Sequence, residues 1–302
     1  MAKMQLNGEN ELEATIWSDT AMTTVPHSHP MSAPPVRVLA ISNQKGGVGK
    51  TTTAINLGTA LAAAGERVMI LDLDPQGNAS TGLGVGPEAR PLTMFDVLMR
   101  QSSVLQAAVQ TNVPNLSIVP ANSDLVSLES DLMGDAGRPY KLRDALAEMA
   151  ADQSRLLDGR PFNYVLIDCP PSLSLLTLNA MTAAHAVLVP IQCEFFALEG
   201  MSQLKETVDQ IKATLNPKLE IQGVVLTMHD QRTAFSREIA DSVRAYFGNK
   251  VYETVIPRNI RVAEAPSHGQ PILIYDHACI GSKAYIQLAS EVIAREKQLR
   301  AA

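Results

Sequence analysis

Residues 44–53 read Gln-Lys-Gly-Gly-Val-Gly-Lys-Thr-Thr-Thr, and these residue types in this order can hold a triphosphate. Gly46, Gly47 and Gly49, with Val48 among them, let backbone N–H groups turn inward onto phosphate oxygens. Lys50 supplies an ammonium for the β- and γ-phosphates. Thr51 supplies a hydroxyl where Mg²⁺ is usually held, and Thr52 is placed to touch the α-phosphate. The N-terminus of a helix starting near Lys50 adds partial positive charge. The common pattern for such a loop opens on glycine, but this chain has Gln44 there and a second lysine, Lys45, beside it. Lys50 already serves the phosphates, so Lys45 needs another task.

Carboxylates complete the chemistry. Hydrolysis of a phosphoanhydride needs charge neutralisation, a metal and a positioned water. Asp168 ends the apolar run in Tyr-Val-Leu-Ile-Asp-Cys-Pro-Pro, the layout of a Walker-B acid, and is expected to hold the Mg²⁺ hydration shell. Asp72 and Asp74 lie two residues apart, which on an extended strand places them on one face. Two acids near a metal suggest one turned to metal-bound water and one to the attacking water. Pro75 and Gly77 make the following loop a natural switch, ordered by the γ-phosphate and released after hydrolysis.

The elements that must position these groups alternate. Apolar, β-branched runs at Val36–Ile41, Val68–Leu73, Leu116–Val119, Val165–Asp168, Ala186–Pro190 and Gly223–Met228 read as strands. Helical patterns fall at Lys50–Ala64, Tyr140–Ala151, Leu173–Ala183, Leu198–Leu215, Ser236–Phe247 and Lys283–Leu299. Continuously apolar strands are those covered on both faces. The expected fold is therefore α/β and P-loop NTPase-like: a mostly parallel twisted sheet with helices on both faces, in a single domain. Ligands of such sheets sit beyond the carboxyl ends of the strands, where these motifs fall.

Bulk properties bound the function. At 302 residues, with 46% hydrophobic and 19% charged content, the chain reads as a soluble globular protein without a membrane span. A net charge of −6 means that any nucleic-acid surface is a local patch. Cys169, Cys193 and Cys279 form no C-x-x-C and read as buried, reduced thiols of a cytosolic protein. Residues 1–33 are polar, acidic and then Pro-rich; they read as a disordered N-terminal tail before an ATPase domain at 34–302, with no signal or transit peptide.

The loop resembles the deviant Walker-A ATPases, the ParA/MinD group, whose signature is K-G-G-x-x-K-[ST]. Three further stretches narrow the resemblance to ParA/Soj-type partitioning ATPases: Asp72–Gly84, Glu194–Gly200 and Ile256–Asp276. The resemblance covers about residues 36–300 and implies a cycle. ATP with Mg²⁺ joins two copies face to face, and Lys45 reaches the nucleotide of the other subunit. Asp74 activates the water, and Asp72 supports the metal with Thr51 and Asp168. Met228 and the Pro257–Arg258 turn lie near adenine. The dimer binds double-stranded DNA without sequence preference, so the protein is cytoplasmic and nucleoid-associated. A ParB-like centromere-binding partner stimulates a weak basal ATP hydrolysis and drives chromosome or plasmid segregation.

Arg232, Arg237, Arg244, Lys250, Arg258 and Arg261 fall within 30 residues, against Asp230, Glu238, Asp241 and Glu253. The excess is small, and the resemblance is what assigns DNA to Arg232, Arg237, Arg258 and Arg261. A membrane-associated MinD-type positioning ATPase is the alternative. It needs a detachable, basic amphipathic C-terminal helix. Here Glu291 and Glu296 interrupt the cations, and a stripe of Ile286, Ala289, Val292 and Ile293 suits packing on the core. An iron–sulfur relative would need cysteine pairs that this chain lacks.

Overall fold

Eight strands form one sheet in the order β3-β4-β2-β5-β1-β6-β7-β8. The strands are β1 (Arg37–Ile41), β2 (Val68–Asp72), β3 (Val109–Gln110), β4 (Leu116–Val119), β5 (Tyr164–Asp168), β6 (Ala186–Gln192), β7 (Glu220–His229) and β8 (Val251–Pro257). All pair in parallel except β3, which runs antiparallel to β4 at one edge. This computed structural model describes residues 36–152, 160–194 and 197–301, and the expectations placed on residues 1–33 lie outside them. Residues 35–302 make up one compact unit.

Long crossover helices cover both faces, as continuously apolar strands require. One face carries α1 (Lys50–Ala63) and α8 (Ile280–Ala301), which share a core with Leu39, Ile41, Ile70 and Leu166. The other carries α3 (Lys141–Ala151), α4 (Leu175–Ala183), α5 (Ala197–Thr214) and α6 (Ala234–Phe247) over Met69, Val165, Val189 and Leu226. Two shorter helices, α2 (Asn78–Gly82) and α7 (Ile260–Glu264), follow β2 and β8 at the carboxyl end of the sheet. Every residue of β2 and β5 is buried, so the acids that end them are delivered to one buried place.

Three expectations need correction. The sequence reading omits β8, because Val251–Pro257 alternates polar and apolar residues as a half-covered edge strand does. It places Ile286 in the packing stripe of the last helix, but that side chain is 47% exposed, and the buried stripe runs through Ala284, Tyr285, Leu288, Ala289 and Val292. Cys169 and Cys193 are buried as expected, whereas Cys279 is only half-buried.

The same helix closes the outer edge of β8. The Glu291 carboxylate accepts the backbone N–H groups of Glu253 (2.9 Å) and Thr254 (2.8 Å). Arg295 donates to the carbonyls of Lys250 (3.0 Å) and Val251 (2.9 Å). Side chains thus stand in for a ninth strand and blunt an edge that would otherwise pair with another chain.

Candidate nucleotide site

The loop between β1 and α1 is pinned from three sides. Asn43 Nδ2 donates to the Pro190 carbonyl (2.8 Å), and its Oδ1 accepts the Lys45 N–H (3.0 Å). Gln44 donates to Thr207 Oγ1 on α5 (2.8 Å), which gives the residue standing in place of the usual first glycine a docking role. Thr227 Oγ1, near the end of β7, donates to the Val48 carbonyl (2.8 Å). Gly49 precedes α1 with a left-handed φ of 88°, and a Cβ there would meet Thr227 and Met228 at 3.8–3.9 Å. At Gly46 and Gly47 a Cβ would meet nothing within 4 Å among the described residues, so the cradle is open there where phosphate oxygens need backbone N–H groups.

The two loop lysines diverge. Lys50 is buried, and its Nζ donates to the Lys45 carbonyl (2.9 Å), along the inner wall of the loop. Burial lowers its pKa, and the charge of Asp168 opposes that shift. Lys45 points outward, about a third exposed, and its Nζ forms an ion pair with Glu194. Glu194 belongs to the quoted Glu194–Gly200 stretch, but sequence reasoning gave it no task. Only the tertiary pairing reveals one.

The carboxylates converge through register. Asp72 and Asp168 are direct partners across β2 and β5, and Ile41, the last residue before the loop, is the partner of Asp168 on the other side. Both acids are fully buried. Burial and the neighbouring Asp72 charge push the Asp168 carboxyl well above the usual range. Burial lifts Asp72 to about 6, against hydrogen bonds from Ser80. Asp72 accepts both the Ser80 N–H (2.9 Å) and its hydroxyl (2.7 Å), so it also ties down α2. Neither Asp168 oxygen has a partner of good hydrogen-bond geometry among the described residues, although the Thr51 hydroxyl lies near enough to oppose the upward shift. A buried carboxylate left that way costs several kcal/mol unless a cation or its water shell satisfies it. The residues therefore fit a Mg²⁺ ion beside Thr51. Asp74 is partly exposed; its N–H donates to Asp72 (3.3 Å), and its Oδ1 accepts the Gln76 N–H (3.0 Å). Its charge acts on both Lys50 and Asp168.

These shifts set a pH dependence. A folded-state pKa raised above the unfolded value means that the ligand-free fold is favoured at low pH and loses stability as pH rises. For Asp72 the loss runs from the unfolded value of 3.8 through about 6. Asp72 and Asp168 titrate as a pair, so the loss belongs to both acids together. Mg²⁺ and nucleotide favour the ionised forms. The gap in thermal midpoint between the Mg²⁺–nucleotide-loaded and ligand-free protein should therefore widen from pH 5 to pH 7.5. A gap that stays constant would show that the buried acids do not meet the metal.

At the far side of the cradle, Met228 holds a left-handed φ of 51°, unusual for a residue with a side chain. Its position beside Gly49 and the pairing of His229 with Pro257 bring Met228, Pro257 and Arg258 to adjacent strand ends. Three of the four arginines expected to meet DNA gather around one groove. Arg232 and Arg258 line a groove of about 680 Å³ together with Lys283, a cation that sequence reasoning counted only as helix. Arg232 grips Asp230 through two hydrogen bonds (2.9 and 2.8 Å), which hold the Asp230 carboxyl down at about 2. Arg237, on α6 beside Glu238 and Asp241, donates to the carbonyl of Gln231 (2.6 Å), a residue of the same groove, and Arg261 sits against Glu264 (3.2 Å) and Asp276 (3.8 Å).

A glycine loop closed by Lys-Thr at the head of a helix, with paired strand-end acids beside it, defines a P-loop nucleotide-binding protein with a second, outward loop lysine. The AAA domain family matches residues 36–221. The chromosome partitioning protein ParA of Caulobacter vibrioides is 60% identical, over 90% of this chain and 99% of its own length. The sporulation initiation inhibitor protein Soj of Bacillus subtilis is 46% identical, over 85% and 98%. Among solved structures, a cobyrinic acid a,c-diamide synthase from Mycobacterium smegmatis, crystallised with ADP and magnesium, superposes with a TM-score of 0.73. It is 37% identical, over 87% of this chain and 96% of that one. This chain belongs to the ParA/Soj family of chromosome-partitioning ATPases.

Proposed function

We propose that the protein is a Mg²⁺-dependent ATP hydrolase of weak basal activity that pairs with a second copy around ATP. The pair binds double-stranded DNA without sequence preference. It segregates a chromosome or plasmid with a ParB-like partner that stimulates hydrolysis. The observation that carries this reading is the divergence of the two loop lysines: Lys50 turns into the cradle, and Lys45 turns out to its rim. The relatives named for chromosome partitioning, and the neighbour crystallised with ADP and magnesium, support it from outside the chain. On this reading residues 34–302 are the ATPase domain, residues 1–33 are a tail, and the protein works in the cytoplasm on the nucleoid.

Each group then has a task. The N–H groups of residues 46–50 and the Lys50 ammonium hold the phosphates. Thr51, Asp72 and Asp168 hold Mg²⁺ and its waters, and the ion supplies charge neutralisation at the phosphates. Asp74 orients the attacking water. Lys45 of each copy adds charge to the γ-phosphate in the other. Met228, Pro257 and Arg258 border the base. Arg232, Arg237, Arg258 and Arg261 contribute to the DNA surface, which pairing would double. A membrane anchor has less support, because α8 is committed to the core through Tyr285, Leu288 and Val292. No helix among the described residues is long and apolar enough to cross a membrane.

The test is duplex binding without nucleotide, with ADP and with ATP. ATP should tighten binding by at least about tenfold if the charged surface is completed by pairing. The affinity should fall by about 0.9 log unit per log unit of salt for each phosphate contacted. Arg232→Glu should lower that slope by about one contact per site. Equal affinity in all three nucleotide states would remove the reading.

A further inference from the structure

We propose that residues 264–276 form a strap that couples the nucleotide switch after β2 to the ion pairing of Arg261, and so to its availability for a DNA phosphate. The proposal rests on the DNA-binding reading above and names how that binding is gated.

One end of the strap touches the switch. The chain leaving Asp74 runs through Pro75–Gly77 into α2, which Asp72 fixes through Ser80. Just beyond α2, Gly84 meets Gly269 backbone to backbone. A methyl on Gly269 would lie 3.0 Å from Gly84 Cα, and one on Gly84 would lie 3.1 Å from the Gly269 carbonyl. Both glycines hold left-handed φ angles, 79° and 63°. Only glycine fits such a crossing. No side chain stands between the two segments to absorb motion by changing rotamer. A shift of α2 therefore reaches the strap directly.

A second tether reads the P-loop helix. The Ile272 N–H donates to Asn56 Oδ1 (2.7 Å), and Asn56 Nδ2 donates to the Thr52 carbonyl (2.8 Å). Thr52 and Asn56 both lie in the first two turns of α1. The strap is thus fastened to both elements that meet the triphosphate.

The other end holds Arg261. His268 stacks on Tyr275 (4.9 Å between ring centroids, 22° between planes). The Tyr275 hydroxyl donates to Glu264 Oε2 (3.5 Å), the same oxygen that accepts from Arg261 Nη1 (3.2 Å). Asp276 approaches the Nε of Arg261 at 3.8 Å. Two carboxylates at the ends of the strap therefore neutralise the one cation. The structure shows Arg261 paired with these two acids; on this proposal the ATP state releases it toward a DNA phosphate, giving the element two arrangements. A bistable element of this kind is what coupling between sites requires.

The experiment compares duplex affinity in the ATP and ADP states for the wild type, Gly269→Ala and Glu264→Gln. Thermal melting and fluorescent-nucleotide binding serve as controls for folding. Gly269→Ala should bind nucleotide like the wild type but lose most of the ATP-over-ADP preference for DNA, a factor of about 5–150 in coupled systems. Coupling is reciprocal, so saturating duplex should slow nucleotide release from the wild type and leave Gly269→Ala unaffected. Glu264→Gln should raise duplex affinity in the ADP state several-fold. It is the deciding variant should Gly269→Ala fail to fold. If the wild type gates and both variants gate equally well, the strap is overturned. It is also overturned if Gly269→Ala weakens DNA binding by the same factor in both nucleotide states. A wild type without any ATP preference would instead sink the DNA-binding reading, and the strap with it.

Discussion

Lys45→Ala should abolish ATP-dependent pairing and lower turnover by about 10³-fold or more, the low end of the range for a cation supplied in trans to phosphoryl transfer. The expectation follows from where the two loop lysines point. Lys50 is buried and turned along the cradle, with its Nζ on the Lys45 carbonyl. The Lys45 side chain is 31% exposed and held at the rim by Glu194. Removing Lys45 leaves the glycine cradle, Lys50 and Thr51 intact, so the affinity of one subunit for nucleotide should change by no more than a few-fold. Sedimentation in ATP and single-turnover phosphate release measure the two effects separately. A Lys45→Ala protein that still pairs and turns over would show that the outward lysine is only a solvated loop residue bonded to Glu194.

The second large effect belongs to Asp74. Asp74→Ala should slow hydrolysis by about 10²–10⁴-fold, the usual contribution of a positioned acid–base group. ATP binding should persist. Because release from DNA follows hydrolysis on this reading, the variant should remain paired and stay on duplex longer, in proportion to the lost rate. The geometry favours Asp74 over Asp72 for this role. Asp72 is fully buried and spends one oxygen on Ser80, so its removal would loosen α2 as well. Among the described residues the Asp74 carboxylate accepts only the Gln76 N–H, at its own turn, and it lies within electrostatic reach of Lys50 and Asp168. Fast turnover in Asp74→Ala would reassign the water-orienting role.

Much of this was legible before any coordinates. The glycine–lysine–threonine run, the apolar strands ending in Asp72 and Asp168, and the alternation of strand and helix follow from local rules: backbone freedom, side-chain periodicity and the burial of parallel strands. These are short-range properties, and they predict the fold class and the nucleotide cradle. The edge strand β8 escaped because its pattern is diluted by exposure on one side.

The sequence by itself determined which groups exist and which strand end carries each one. It did not determine who meets whom. The pairing of Asp72 with Asp168 depends on β2 and β5 being neighbours, although 96 residues separate those two acids in the chain. Glu194 on Lys45, Gly269 against Gly84 and the meeting of Arg232 with Arg258 along one groove are likewise products of packing between distant segments. Charge neutralisation and close backbone contact act over a few ångströms of space. Spacing along the chain does not encode them, and only the folded arrangement assigned each ion its partner.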